Sequence, residues 1–218
     1  MNFINSQLIF AFYNLFCVMN LLYFLDILGT FVFAISGVRL AAKKDLDLFG
    51  AAVIGFVTAV GGGTTRDILL GNYPVGWIQD PIYPITILIA VPFTYIFRKY
   101  IVNMTRTLFI FDTIGIGIFT ILGLEKALSL GANPGIAIAM GMVSAVVGGV
   151  IRDILCNEIP LIFRKEIYAT ACLIGALVFF FLQELAVPPN INYLVTVLLI
   201  VVIRIIVIKK GLNMPKMR

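Results

Sequence analysis

Histidine is absent from the 218-residue chain, which removes the commonest general base, proton relay and metal ligand together. Charge is scarce as well: 12% of residues are Asp, Glu, Lys or Arg, about half the roughly 25% of a soluble domain. The three cysteines, Cys17, Cys156 and Cys172, have no ligand-like spacing and read as small apolar side chains. Without a nucleophile–base pair or a metal constellation, an intramembrane enzyme is the poorest functional reading, and no metal or other cofactor is implied. What fills the chain instead is apolar: 61% hydrophobic residues and a mean hydropathy of +1.07. A globule of this length cannot hide so much apolar side chain, so a bilayer must solvate the rest. The fold class is an all-α integral membrane protein.

The net charge of +5 does not point to nucleic acid. Its basic residues sit in short runs between apolar stretches, as in Lys43-Lys44, Arg98-Lys99 and Lys209-Lys210, where loops orient a membrane protein. The first twenty residues lack a basic n-region and an A-x-A-like cleavage site. They read as an apolar leader to the first span, interfacial or poorly ordered, and not as a cleaved signal.

Apolar runs long enough to cross, about 20 residues, place spans near 22–42, 48–71, 81–98, 107–125, 134–157, 166–184 and 190–208. In the second and fifth, an apolar segment meets a glycine cluster and then an Arg-Asp pair. An uninterrupted piece of about 14 residues reaches about 21 Å, short of the roughly 30 Å hydrocarbon core. Each is therefore expected to cross with a second, broken-off helical piece, or to re-enter. Seven spans put thirteen basic residues on one side: Arg39, Lys43, Lys44, Arg98, Lys99, Arg106, Arg152, Arg164, Lys165, Lys209, Lys210, Lys216 and Arg218. Arg66 and Lys126 fall on the other, and Arg204, near the end of the last span, is expected to snorkel toward the basic side. That asymmetry predicts an amino terminus outside and a cytoplasmic carboxyl terminus.

Shifted by 86 residues, the sequence overlays itself without a gap. Over residues 26–74, eighteen of 49 positions are identical. Asp26, Gly29, Phe33, Gly37, Gly55, Gly62, Gly63, Arg66, Asp67 and Pro74 meet Asp112, Gly115, Phe119, Gly123, Gly141, Gly148, Gly149, Arg152, Asp153 and Pro160. The predicted architecture is an apolar leader (1–21), two three-helix repeats (22–100 and 107–185), and a seventh helix with a basic tail (190–218). An odd number of spans per copy inverts the second copy relative to the first. Proteins so built place their site near the midplane, at discontinuous helices.

The candidate site residues follow. Gly61, Gly62 and Gly63, with Gly148 and Gly149, either open a pore by breaking a helix or let helices pack closely. Two symmetric clusters, each followed at once by Arg-Asp, favour the pore. Arg66, Asp67, Arg152 and Asp153 cost roughly 2.5–3.5 kcal/mol each at membrane depth. Neighbours on a helix point about 100° apart, so Arg66 is not expected to pair with Asp67. Asp26 and Asp112 either sit favourably at helix starts, or attract cations at each mouth, or partner Arg152 or Arg66. Phe33 and Phe119 read as packing residues. If a lumen passes cations, an unneutralised guanidinium 4 Å away would repel them by about 4 kcal/mol at an effective dielectric near 20. The arginines are therefore expected to be salt-bridged in a closed state, with Asp26, Asp67, Asp112 and Asp153 as candidate partners.

The D-x-x-G-x-x-x-F-x-x-x-G opening, the G-G-x-x-R-D-I-L segment with its trailing proline, and their duplication resemble the prokaryotic branch of the trimeric intracellular cation channel family. Its repeat is also called a glycine-transporter-like domain. The resemblance covers about residues 22–208. It implies seven helices, a homotrimer in membrane lipid, and a potassium-permeable pore through each protomer, with sodium as the second candidate ion. It further implies a pore lined by the first, second, fourth and fifth helices, the second and fifth kinked at their glycines. Val147 stands where the first copy has Gly61, so the second kink is expected to be milder. The lysine-bearing pore motif of the animal members is absent, and their lipid and calcium regulation is not carried over. The sequence thus predicts a monovalent cation channel of a prokaryotic inner membrane. The alternative is a secondary carrier for a small neutral or zwitterionic solute such as glycine, since inverted repeats suit alternating access too.

Overall fold

The computed structural model describes residues 2–102, 107–163 and 167–211, with side chains from Leu21 onward. Cys17 (its side chain), Arg106, Arg164, Lys165, Lys216 and Arg218 lie outside the described residues. The described chain is helical, without a strand. Its helices are α1 (Asn2–Lys43), α2 (Leu48–Leu69), α3 (Gly76–Gln79), α4 (Ile82–Ile96), α5 (Arg98–Ile101), α6 (Thr107–Ser129), α7 (Pro134–Leu155), α8 (Ala169–Glu184) and α9 (Pro189–Lys210). The helical backbone of α1 runs through the predicted leader into the first span without interruption. Five segments are long and apolar enough to cross a bilayer: Leu21–Lys43, α2, α6, α7 and α9. At 15 and 16 residues, α4 and α8 reach about 22–24 Å, short of the hydrocarbon thickness.

Local chemistry sets the ends of α2 and α7 in duplicate. Asp47 and Asn133 cap them, each side-chain oxygen accepting from the backbone three residues on (Gly50 N, 2.7 Å; Ile136 N, 3.0 Å), which satisfies one orphan amide. At the other ends, Gly71 and Asn157 take left-handed φ values of 67° and 54°. These two residue types tolerate that region best. The amides of Asn72 and Glu158 then close back on Asp67 O and Asp153 O, both at 2.8 Å.

Neither α2 nor α7 is broken. Each is one α-helix of 22 residues that continues without interruption through its glycines, which corrects the expectation of a second helical piece. Helix interruption at glycine is a weak tendency, about 1 kcal/mol per residue, and the packing of α2 on α7 outweighs it. A Cβ on Gly62 would lie 2.0 Å from Ser144 O, and one on Gly148 would lie 2.3 Å from Thr58 O. Thr58 and Ser144 are themselves 86 apart. The two contacts are therefore one contact made twice, with α2 and α7 crossing antiparallel, backbone against backbone.

The same reciprocity holds where α1 meets α6. Gly29 faces Ile118 and Phe119, Gly115 faces Phe33, and the Phe33 and Phe119 rings stack at 5.1 Å. Within each copy, Gly37 packs on Ile54 and Thr58 as Gly123 packs on Met140 and Ser144. These glycine contacts pull α1, α2, α6 and α7 into one closely packed group. The last helix, α9, joins it from the side of the second copy, against α6 and α8. A Cβ on Gly175 would lie 2.3 Å from Ile200 Cγ1, and one on Gly117 would lie 3.1 Å from Val197 O.

Candidate functional site

Each Arg-Asp pair stands one turn beyond its glycines, near the end of its helix, and the two copies build it differently. In the second copy, Arg152 is fully buried. Its Nε donates to Asp153 Oδ1 (2.8 Å), and its Nη1 donates to Asp112 Oδ1 (2.9 Å) and Ser36 Oγ (2.6 Å). Asp112 and Asp153 are buried with it. A buried guanidinium is tolerable only with such pairing. Ser36 lies on α1, so this cluster ties α7 and α6 of the second copy to the first copy.

In the first copy, Arg66 stays partly exposed, at 13% of its side chain. Its Nε and Nη2 both donate to Asp67 Oδ1, at 2.9 and 2.7 Å. Adjacent Arg and Asp therefore do pair, in both copies, contrary to the expectation drawn from their 100° separation. The guanidinium arm is long enough to curl around the helix, and burial leaves Asp67 and Asp153 with few other donors. Their second oxygens accept from returning backbone, Gly76 N (3.1 Å) and Leu161 N (3.0 Å). Asp26, the counterpart of Asp112, takes the Tyr83 hydroxyl instead (2.6 Å).

Three substitutions between the copies account for the difference. Ser36, which holds Arg152, corresponds to Leu122, which has no oxygen to offer Arg66. Tyr83, which takes Asp26, corresponds to Ala169, and Ile82 corresponds to Tyr168. Arg66 borders a cavity of about 340 Å³ that Tyr23, Asp26, Tyr83, Glu125 and Lys126 also line. One arginine is thus sealed and its twin faces an open, charged vestibule.

The glycines divide their work between these features. Gly62 and Gly148 serve the helix crossing. Gly149 faces the sealed cluster: a Cβ there would stand 3.3 Å from the Tyr168 hydroxyl, 3.4 Å from Asp112 Oδ1 and 3.6 Å from Arg152 Nη2. Its counterpart Gly63 has only Arg66 Nη2 nearby, at 3.8 Å, and Gly61 packs on Ile151. Asp26 and Asp112 do not stand at the head of their spans; each is the sixth residue in, at the level of the paired arginines.

Two further arginines are buried among the helices. Arg39 is buried, its Nε donating to Ile101 O (2.8 Å) and Thr107 Oγ1 (2.6 Å), so it joins α1 to α5 and α6. Arg204 does not snorkel. It is fully buried, donates to Ile167 O at 2.7 Å, and lies 4.7 Å above the Tyr168 ring. A signal for it was present in the sequence: Asn192, Thr196 and Arg204 stand at multiples of four in the largely apolar stretch between Asn190 and Lys209, and all three are buried.

The family model described as "Glycine transporter" matches residues 23–99 and again 109–184, the two copies of the repeat. The chain belongs to this family. A curated relative, the UPF0126 inner membrane protein YadS of Escherichia coli (strain K12), is 46% identical over 159 residues, spanning 72% of this chain and 77% of that protein. The UPF0126 membrane protein YvgT of Bacillus subtilis (strain 168) is 32% identical over 157 residues, 71% of this chain and 77% of YvgT. Among solved structures, the chain is similar to the TRIC trimeric intracellular cation channel orthologue from Rhodobacter sphaeroides. It superposes with a TM-score of 0.84 at 38% identity, covering 88% of this chain and 99% of that one. A prokaryotic TRIC channel in 0.5 M KCl gives 0.81 at 34% identity, over 90% and 100%. These structural neighbours are ion channels and not enzymes. The chain is a multi-pass helical membrane protein with the TRIC fold; YadS is named an inner membrane protein and YvgT a membrane protein.

Proposed function

We propose that this protein is a potassium-permeable monovalent cation channel, with a pore in each protomer of a homotrimer. The observation that carries the reading is the pair of Arg-Asp centres, each embedded among the helices of a fold shared with TRIC cation channels at 38% identity. Neutralised guanidinium groups suit a cation path, because the roughly 4 kcal/mol repulsion of a bare one would close it. In this reading seven helices cross, as a 3+3 inverted repeat plus α9. The path runs among α1, α2, α6 and α7, with α2 and α7 bending at their glycines. The buried Arg152 cluster is the closed end and the Arg66 vestibule the open one. The amino terminus lies outside and the carboxyl terminus in the cytoplasm of a prokaryotic inner membrane. A carrier of glycine-like solutes has less support, since the structural neighbours are channels. Purified protein in planar bilayers tests the proposal: unitary currents with a reversal potential favouring potassium over sodium are expected. Solute uptake without unitary currents would refute it.

A further inference from the structure

Arg204 belongs to neither copy of the repeat, yet a chain of contacts runs from it to the sealed centre. Its guanidinium holds the Ile167 carbonyl and covers the Tyr168 ring, the two residues immediately before α8. Tyr168 is buried, and its hydroxyl stands beside the Asp112 carboxylate: a Cβ on Gly149 would lie 3.3 Å from the one and 3.4 Å from Asp112 Oδ1. Asp112 in turn holds Arg152. Asp112 Oδ2 and Arg152 Nη2 have no hydrogen-bond partner among the described residues, so the pair's placement depends on few contacts. The device occurs once. The glycines that admit α9, Gly117 and Gly175, correspond to Phe31 and Ile89 in the first copy, and Tyr168 corresponds to Ile82. The copy that α9 covers has the sealed arginine; the copy without these features has the open one.

We infer that Arg204 is a positioning residue for the Arg152–Asp112 pair, acting through Tyr168, so that the helix outside the repeat sets whether the sealed end opens. The inference rests on the channel reading, with Arg152 at the closed end. A buried charge in an apolar helix is costly unless paired, and here the pairing spans the interval between α9 and the start of α8. Displacing α9 withdraws the guanidinium from Tyr168 and lets the hydroxyl move away from Asp112. Asp112 and Arg152 then lose the contact that fixes them against Ser36.

Two measurements test this. Tyr168→Phe keeps the ring under Arg204 and deletes only the hydroxyl. In planar bilayers it is expected to raise open probability about fivefold, the factor that one polar contact supports, with unitary conductance unchanged. Arg204→Gln should act in the same direction, and Arg204→Lys should restore part of the effect. In an Asp112→Asn background Tyr168→Phe should add nothing, because the partner is already altered. An unchanged open probability in Tyr168→Phe, or full additivity with Asp112→Asn, overturns the inference, whether or not Arg204→Gln folds. If the wild-type protein carries no current, the channel reading has failed, and thiol accessibility decides the coupling on its own. With Cys17, Cys156 and Cys172 replaced by Ala, Ser36→Cys should react faster with a maleimide once Tyr168→Phe is added. Equal rates overturn it.

Discussion

A methyl group added at Gly62 tests the packing more sharply than any charge substitution. Its Cβ would lie 2.0 Å from Ser144 O and 2.9 Å from Ser144 C, where ordinary contact begins near 3.4 Å. The obstacle is backbone, so no side-chain rotation relieves it, and α2 and α7 must part by about 1 Å or more. A gap of that size forfeits a quarter to a half of the dispersion energy along the crossing, and overpacking of this kind costs about 1–3 kcal/mol. Replacing glycine in a helix returns at most about 1 kcal/mol. Gly62→Ala should thus lose about 2 kcal/mol, lowering Tm in detergent by roughly 4–8 °C for a chain of this size. Gly148→Ala, at 2.3 Å from Thr58 O, should lose slightly less. The double variant should lose less than their sum, because one separation of the helices makes room for both methyls. Gly63→Ala, whose nearest neighbour is 3.8 Å away, should leave Tm unchanged or raise it. If Gly62→Ala melts with the wild type, or Gly63→Ala falls as far, the glycines do not act through this crossing.

Two further outcomes follow from the charges. A reporter fused to the carboxyl terminus should be active in the cytoplasm only; activity confined to the periplasm would overturn both the orientation and the inversion of the repeat. Arg66→Gln should alter single-channel conductance at low salt, where screening is weakest, while Arg98→Gln, which stacks on Tyr95 at 5.2 Å, should not. Equal currents in all three proteins would make Arg66 an interfacial anchor.

Much of this molecule was legible before folding, because the relevant signals are local or repeated. Hydropathy marks helices wherever apolar runs must meet lipid, and the starts of α2, α6, α7 and α9 fall within a residue of the spans read from the chain. The 86-residue duplication carried tertiary information too. Identical residues at one offset make identical contacts, as Gly62 with Ser144 and Gly148 with Thr58. What the sequence by itself could not determine depends on reach and enclosure. A separation of 100° along a helix says nothing of how far a guanidinium curls, so the Arg66–Asp67 pair was missed. A glycine cluster weakens a helix by an amount that neighbouring backbone can reverse, so continuity through Gly61–Gly63 was settled by α7. The unlike fates of Arg66 and Arg152 turn on Ser36, Tyr83 and Tyr168, which the repeat alignment passes over because their counterparts differ. Arg204 looked like a charge at a membrane edge; only the packing of α9 against α6 and α8 enclosed it, and enclosure obliges a charge to find partners.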